Sequence, residues 1–190
     1  MNSPAKGAVI IGASAGALEA LSLLLPALPE DFPLPIFVIV HIPPDKPSVL
    51  ADIFDAKCAL RAVEAEDKEP VEAGVIYFAP PNYHMLLEDR TSIALSSEEE
   101  VLFSRPSIDV ALESAADVWG PELIGIILTG ANQDGARGLQ AIQRAGGTAI
   151  VQNPAEAYAR TMPDAALARC PDARIMSLAD MPSYLTRASE

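Results

Sequence analysis

The stretch that decides the fold is Ala8-Val9-Ile10-Ile11-Gly12-Ala13-Ser14-Ala15-Gly16, near the start of a chain of 190 residues. Its apolar first half predicts a buried strand, and the small residues that follow allow a tight turn. The helical pattern from Ala17 aims the free N–H groups of its first turn at Ser14, where they favour negative charge. This unit is one way to present a nucleophilic serine at the end of a strand. The same connection is common in α/β folds without any catalytic role, and this stretch alone favours that second interpretation.

Short apolar runs alternate with helical patterns along the rest of the chain. Most of these runs are continuously apolar, which is typical of parallel strands buried on both faces. The alternation predicts an α/β fold with three layers, built on a doubly wound, mostly parallel, Rossmann-like sheet. Residues 85–88 and 93–95 flank a polar turn and predict an inserted antiparallel hairpin. The other predicted strands are 8–11, 36–41, 60–63, 75–79, 123–129, 148–152 and 174–178, and the predicted helices are 17–27, 48–56, 107–119, 136–145, 163–169 and 181–188.

Composition limits the classes of function. The chain has 13 basic and 26 acidic residues, a formal net charge of −13, which argues against nucleic acids and anionic membranes as partners. No apolar run approaches the roughly 20 residues of a membrane helix, so no membrane insertion is expected. Cys58 and Cys170 have neither metal-ligand spacing nor a disulfide framework, which favours a cytoplasmic protein without a metal or cofactor. The length predicts a single domain over residues 1–190.

Three strand ends carry the chemistry of nucleophilic acyl transfer. Ser14 follows the first predicted strand, His41 ends the second, and Asp134 lies in the loop after the strand at 123–129. A histidine activates a serine hydroxyl by accepting its proton, and a carboxylate fixes the tautomer of that histidine. Taken singly, His41 is also interpretable as a core histidine, and Asp134 as the cap of a helix that begins at Ala136. The conjunction of the three favours a catalytic triad.

These motifs together resemble the catalytic domain of the chemotaxis protein-glutamate methylesterases, the CheB family. The resemblance extends over nearly the whole chain, in order and with similar spacing. The residues that carry it are 12–16 (Gly-Ala-Ser-Ala-Gly), 40–44 (Val-His-Ile-Pro-Pro), 64–67, 77–85, 105–109 (Arg-Pro-Ser-Ile-Asp), 128–136 (Leu-Thr-Gly-Ala-Asn-Gln-Asp-Gly-Ala) and 162–163.

The resemblance implies a function and a set of roles. Ser14 is the implied nucleophile, His41 the general base and acid, and Asp134 the orienting carboxylate. The implied substrates are glutamate methyl esters on the cytoplasmic helices of methyl-accepting chemotaxis receptors, which are demethylated with release of methanol, and deamidation of receptor glutamines is a possible second activity. A receiver domain or a methyltransferase is a possible further partner. Many family members carry an N-terminal receiver domain, and none is expected within residues 1–190.

Two departures from the family pattern bear on the activity. The loop before the aspartate usually reads Thr-Gly-Met-Gly-x-Asp-Gly, whereas Ala131 and Asn132 replace the Met-Gly pair here. Because backbone N–H groups form an oxyanion hole whatever the side chain, we expect it at Ala15 and Ala131. A glycine that is common in the family is also replaced, by Ala17.

Other functions stay open at this stage. The altered loop leaves a catalytically weak or silent module that binds receptors or signalling partners as an alternative. A general serine esterase is the second, because the Gly-x-Ser-x-Gly pattern is that of the α/β-hydrolases. The order serine, histidine, aspartate opposes that fold, which runs serine, acid, histidine. His84 is a rival base, for which the resemblance favours a structural or substrate-side role.

Overall fold

A computed structural model describes residues 5–190 of the chain. Its main sheet has seven strands, all parallel, in the order β3-β4-β2-β1-β7-β8-β9, and β5 and β6 pair separately in an antiparallel hairpin. The strands are β1 (Ala8–Ala13), β2 (Ile36–Val40), β3 (Arg61–Glu64), β4 (Val75–Phe78), β5 (His84–Asp89), β6 (Ser92–Ser96), β7 (Leu123–Ile127), β8 (Thr148–Gln152) and β9 (Arg174–Met176).

Helices cover both faces of this sheet, which confirms the predicted three-layer α/β fold. Within residues 5–190 they are α1 (Ala17–Leu24), α2 (Leu50–Lys57), α3 (Ile108–Trp119), α4 (Ala136–Arg144), α5 (Thr161–Arg169) and α6 (Met181–Ala188), with short 3-10 turns at Leu25–Ala27 and Gly120–Glu122.

The apolar core is divided in two by the sheet, because successive residues of a strand point to opposite faces. Val9 and Ile11 of β1 pack with α1, α2 and α6, whereas Ile10 packs with α3, α4 and the hairpin. All six residues of β1 are buried. This is why its sequence is continuously apolar rather than alternating.

The predicted elements are present with shifted ends. The first helix is α-helical only to Leu24 and continues as a 3-10 turn, because Pro26 lacks the N–H that the next helical hydrogen bond requires. β2 ends at Val40 and β7 at Ile127, so His41 and Thr129 lie just beyond the strands rather than within them. α2 begins at Leu50, two residues later than predicted, and α5 begins at Thr161, two residues earlier. β9 is shorter than predicted and ends at Met176.

The order of the strands determines where a site can form. β1 lies between β2 and β7, and all three run in the same direction, so their carboxyl ends share one edge of the sheet. The chain leaves β1 toward β2 on one side, and the later strands β7, β8 and β9 extend the sheet on the other side. Ligands of open α/β sheets bind at such a reversal of strand order.

Candidate active site

Ser14 lies at the carboxyl end of β1, where backbone hydrogen bonds hold the turn. The Ser14 N–H donates to the Thr129 carbonyl at 2.9 Å, and the Ser14 carbonyl accepts from the Ala17 N–H at 2.9 Å. Gly16 has φ +84°, and a Cβ there would lie 2.7 Å from that of Tyr158. The turn therefore requires glycine at this position, as the small-residue pattern indicates.

His41 lies immediately beyond β2 and contacts both other residues of the predicted triad. The Ser14 hydroxyl donates to His41 Nδ1 at 3.2 Å, and His41 Nε2–H donates to Asp134 Oδ2 at 2.8 Å. The His41 side chain is 13% exposed and that of Asp134 is fully buried. The two ring nitrogens have opposite roles to those in the serine-protease template, where Nε2 faces the serine. The carboxylate holds the proton on Nε2, which leaves the lone pair of Nδ1 free to accept the serine proton.

Asp134 is held by the start of α3. Its Oδ2 accepts from the Ile108 N–H at 2.7 Å, and its Oδ1 accepts from the Asp109 N–H at 2.9 Å and the Ser107 hydroxyl at 3.2 Å. Burial raises the pKa of Asp134, but the hydrogen bonds from His41, Asp109 and Ile108 outweigh it and leave that pKa below its usual value. The carboxylate is therefore ionised at neutral pH, as the stabilisation of a protonated His41 requires.

Asp109 is a second buried carboxylate next to this site. Its Oδ1 accepts from the Gly135 N–H at 3.0 Å and the Gly138 N–H at 2.7 Å, at the start of α4. Burial, with the nearby charge of Asp134, raises the pKa of Asp109. Asp109 does not contact His41 or Ser14 through hydrogen bonds, so its role is to hold the loop that carries Asp134.

The two backbone groups predicted to form the oxyanion hole are near this edge and free to donate. Within residues 5–190, neither the Ala15 N–H nor the Ala131 N–H makes a hydrogen bond. Ala15 is half-buried and Ala131 is exposed, and the Ala15 carbonyl accepts from the Thr129 hydroxyl at 2.8 Å. Their assignment to the oxyanion hole stays a prediction.

Asn132 belongs to the site although the sequence singled it out only as a departure from a pattern. Its Nδ2 lies 3.4 Å from His41 Nδ1, and its Oδ1 accepts from the Asp134 N–H at 3.0 Å. The signal that was available is the Asn-x-Asp spacing, since an asparagine side chain commonly bonds the backbone N–H two residues on.

Ser107 is another site residue that sequence reasoning missed. Its hydroxyl caps α3 by accepting from the Val110 N–H at 3.4 Å and also donates to Asp134. A serine after a proline at a helix start predicts the cap. Its contact with Asp134 depends on how α3 packs against the loop after β7.

His84 lies outside the triad, buried at the start of β5. Its Nε2–H donates to the Glu99 carbonyl at 2.9 Å, and its Nδ1 accepts from the Ser107 N–H at 3.1 Å. Both ring nitrogens are therefore occupied by backbone groups, and among the described residues neither of them bonds to Ser14. His84 therefore helps to hold the start of α3 in place.

The cysteines are not activated for nucleophilic attack. Burial, with a smaller effect of the Asp55 charge, raises the pKa of Cys58 to about 11. Burial also raises the pKa of Cys170, which is completely buried. Among residues 5–190, no cluster of three or more His, Cys, Asp or Glu side chains is placed to hold a metal ion. No helix in this part of the chain is long and apolar enough to cross a membrane.

An apolar groove of about 390 Å³ opens beside Ser14 and His41. Leu18 of α1, Pro43 in the loop after β2 and Val49 line it, and Leu18 and Val49 are 41% and 57% exposed. Ser14 and His41 are among the residues that line the groove, so a side chain lying in it comes next to both.

A serine, a histidine and a buried aspartate in hydrogen-bond contact at the carboxyl edge of a parallel sheet are the arrangement of an α/β serine hydrolase. The CheB methylesterase family model matches residues 9–185. The chain belongs to the CheB methylesterase family, which confirms the resemblance seen in the sequence motifs.

Two curated proteins and one crystal structure are similar to the chain over most of its length. A Leptospira interrogans protein is 45% identical over 160 residues, which are 84% of this chain and 83% of that protein. A Symbiobacterium thermophilum protein named protein-glutamate methylesterase/protein-glutamine glutaminase is 39% identical over 155 residues, 82% of this chain but only 43% of that protein. The crystal structure of the Thermotoga maritima CheB methylesterase catalytic domain superposes with a TM-score of 0.92 at 30% identity, covering 95% of this chain and 97% of that one.

Proposed function

We propose that this protein is a serine hydrolase that demethylates glutamate γ-methyl esters in proteins and releases methanol. The observation that carries the proposal is the contact chain from Ser14 through His41 to Asp134, at 3.2 Å and 2.8 Å, in a chain that belongs to the CheB methylesterase family. Chemoreceptor cytoplasmic helices are the proposed substrate, and the apolar groove beside Ser14 is the place where such a helix meets the site.

Ser14 acts first, as the nucleophile. Its hydroxyl attacks the ester carbon while His41 Nδ1 accepts the hydroxyl proton, and the tetrahedral oxyanion forms opposite the N–H groups of Ala15 and Ala131. The protonated imidazole is stabilised by Asp134, to which Nε2–H already donates at 2.8 Å. The C–O bond then breaks, and Nδ1 returns its proton to the departing methanol.

Water completes the reaction on the resulting acyl-serine. His41 Nδ1 accepts a proton from water as the water attacks the acyl carbon. The bond between the acyl carbon and Ser14 Oγ then breaks, the electron pair stays on Oγ, and the same proton returns to it. The products are a glutamate side chain and the free enzyme. Every proton transfer passes through Nδ1, because Nε2 is committed to Asp134.

Deamidation of glutamine side chains is a second candidate activity. The same acyl-serine forms when the leaving group is ammonia in place of methanol, and the Symbiobacterium relative carries both activities in its name. A general serine esterase is a weaker alternative, because the chain lies in a methylesterase family over nearly its whole length. A receiver domain or methyltransferase partner and a cytoplasmic location stay predictions.

Methanol release from a methylated chemoreceptor cytoplasmic fragment tests the proposal. The protein is expected to release methanol, Ser14→Ala to lose at least about 10⁴-fold in turnover, and the matched control Ser22→Ala to keep its rate. Ser22 is on α1, where its hydroxyl, within residues 5–190, accepts only from Lys57 Nζ. A Ser14→Ala variant that keeps most of its activity contradicts the proposal, as does a protein that binds the fragment without hydrolysis.

A further inference from the structure

The side-chain amide of Asn132 has a fixed orientation beside the histidine. Its Oδ1 accepts from the Asp134 N–H at 3.0 Å, and its Nδ2 lies 3.4 Å from His41 Nδ1. Because a backbone N–H can only donate, the oxygen of the amide must face Asp134. The NH₂ group therefore faces His41.

Nδ1 of His41 is also the nitrogen that exchanges protons with the substrate. It accepts from the Ser14 hydroxyl at 3.2 Å, while Nε2 donates to Asp134 at 2.8 Å. A leaving atom must come within about 3 Å of Nδ1 to receive its proton. That position lies next to the Asn132 NH₂ group, which has hydrogens to donate and no lone pair to offer.

We propose that Asn132 is a specificity-determining residue that favours methyl esters over primary amides as substrates. The proposal rests on the proposed function. In it, Asn132 discriminates between two leaving groups, methanol and ammonia. In the tetrahedral intermediate of an ester, the methoxy oxygen has two lone pairs. One lone pair takes the proton from His41 Nδ1, and the other accepts a hydrogen bond from an N–H of Asn132.

An amide intermediate offers no second acceptor to Asn132. Its leaving nitrogen has one lone pair, which takes the proton from Nδ1, and two hydrogens of its own. An N–H of this nitrogen then faces an N–H of Asn132, so that both groups lose a partner. A site that leaves polar groups unpaired discriminates strongly against the substrate that leaves them so.

The two reactions differ in the group attached to the acyl carbon, and they become identical once that group has left. With an ester, the C–O bond breaks, the electron pair stays on oxygen, and the Nδ1 proton completes methanol. With an amide, the C–N bond breaks, the pair stays on nitrogen, and the same proton completes ammonia. Both leave the same acyl-serine, which water hydrolyses identically. The intrinsic difference in reactivity between ester and amide is the same in every variant, so the change in the ratio from the parent to an Asn132 variant reports what Asn132 does to the leaving group.

The test uses two synthetic helical peptides that differ at one position, a glutamate γ-methyl ester in one and glutamine in the other. The values of kcat/KM for methanol and ammonia release are measured for the parent protein, Asn132→Ala, Asn132→Asp and the control Gln133→Ala. Asn132→Ala is expected to lower the ester-to-amide ratio by about tenfold, the value of one hydrogen bond. Asn132→Asp is expected to lower it further, because its carboxylate accepts from the leaving NH₂ group. Gln133 is exposed and adjacent, and its substitution is expected to keep the parent ratio.

Several results overturn the role of Asn132. An ester-to-amide ratio that is the same in the parent and in both Asn132 variants contradicts the proposal. A parallel loss of both activities also contradicts it, because that loss indicates a structural role. If the parent releases no measurable ammonia, the proposal expects ammonia release to appear in Asn132→Asp, and its absence there contradicts the proposal. A parent protein that releases no methanol contradicts the proposed function itself, which is a separate outcome.

Discussion

Asp109 and Asp134 hold each other's surroundings in place. Asp109 lies in the first turn of α3 and bonds to the start of α4, whereas Asp134 lies just before α4 and bonds to the start of α3. Asp134 accepts from the N–H groups of Ile108 and Asp109 at the start of α3, and Asp109 accepts from those of Gly135 and Gly138 at the start of α4. Helix N-termini favour negative charge, so two buried carboxylates can lie near each other. The pair fixes α3 against the loop after β7 and thereby places Asp134 at His41.

Asp109→Ala should lower the free energy of unfolding and slow the hydrolysis of methyl esters. The substitution leaves the buried N–H groups of Gly135 and Gly138 without an acceptor, at a cost of about 2–4 kcal/mol in the free energy of unfolding. Asp109→Asn keeps an oxygen in the place of Oδ1, where both N–H groups donate, and should lose much less. Urea denaturation of the two variants measures the difference. Equal losses in both would indicate that the charge, not the acceptor, matters.

Asp134→Asn should abolish most of the activity. All four groups around the carboxylate are donors, from His41, Ser107, Ile108 and Asp109, so an NH₂ group placed there must face another donor. With the NH₂ group in the place of Oδ2, His41 no longer keeps its proton on Nε2, and kcat on a methyl ester should fall roughly 10⁴-fold, as in the serine-protease template. Asp117→Asn, an exposed aspartate on α3, is the control and should keep full activity. A mild effect of Asp134→Asn would show that His41 works without an orienting carboxylate.

The stabilising effect of Asp134 should disappear in acid. The pKa of Asp134 is lowered in the folded protein, so the ionised form stabilises the fold above the usual pKa of an aspartate, near 4, and this contribution is lost as the pH falls through the folded pKa. The difference in free energy of unfolding between the parent and Asp134→Asn should therefore be largest near neutral pH and shrink below about pH 4. Denaturant unfolding at several pH values measures it. A difference that grows in acid would mean that the pKa is raised instead.

Alkylating reagents should leave the enzyme active. Cys58 has a pKa raised to about 11 from 9.0, so at pH 8 it holds roughly 100-fold less thiolate than an unperturbed cysteine. Iodoacetamide at pH 8 should therefore label Cys58 slowly and leave methanol release unchanged. Labelling should accelerate as the pH approaches 11. Rapid loss of activity at pH 8, absent from Cys58→Ser, would reveal a functional thiol.

The parts of the fold predictable from sequence are those with strong local patterns. The continuously apolar run at Ala8–Ala13 predicted a strand buried on both faces, and the structure confirms it. The polar turn between β5 and β6 predicted the hairpin, which is also confirmed. The predicted end of α1 is wrong by a few residues. The sequence stays apolar on both sides of Pro26, but the hydrogen bonding changes from α-helical to 3-10 after Leu24.

The candidate site was predictable only in part. Ser14, His41 and Asp134 follow three strands whose carboxyl ends lie at the same edge of a parallel sheet. That these strands are neighbours follows from the strand order β2-β1-β7, which only the structure shows. The cradle around Asp134 depends on the packing of α3, whose first residues are more than 20 positions away in the chain. The use of Nδ1 rather than Nε2 toward Ser14 follows from the contacts of the folded site and from no local sequence pattern. The sequence marks Asn132 only as a departure from the family pattern, and the contact of its amide with His41 exists only in the folded loop.

Trapping the acyl-enzyme tests the central claim most directly. The protein is mixed with a peptide carrying a glutamate γ-methyl ester, quenched in acid within the first turnover, digested and mapped by mass spectrometry. The predicted result is a glutamyl adduct on Ser14, absent from Ser14→Ala and formed far more slowly in His41→Ala. An adduct on another residue, or methanol release at an undiminished rate by Ser14→Ala, would contradict the assignment of Ser14 as the nucleophile.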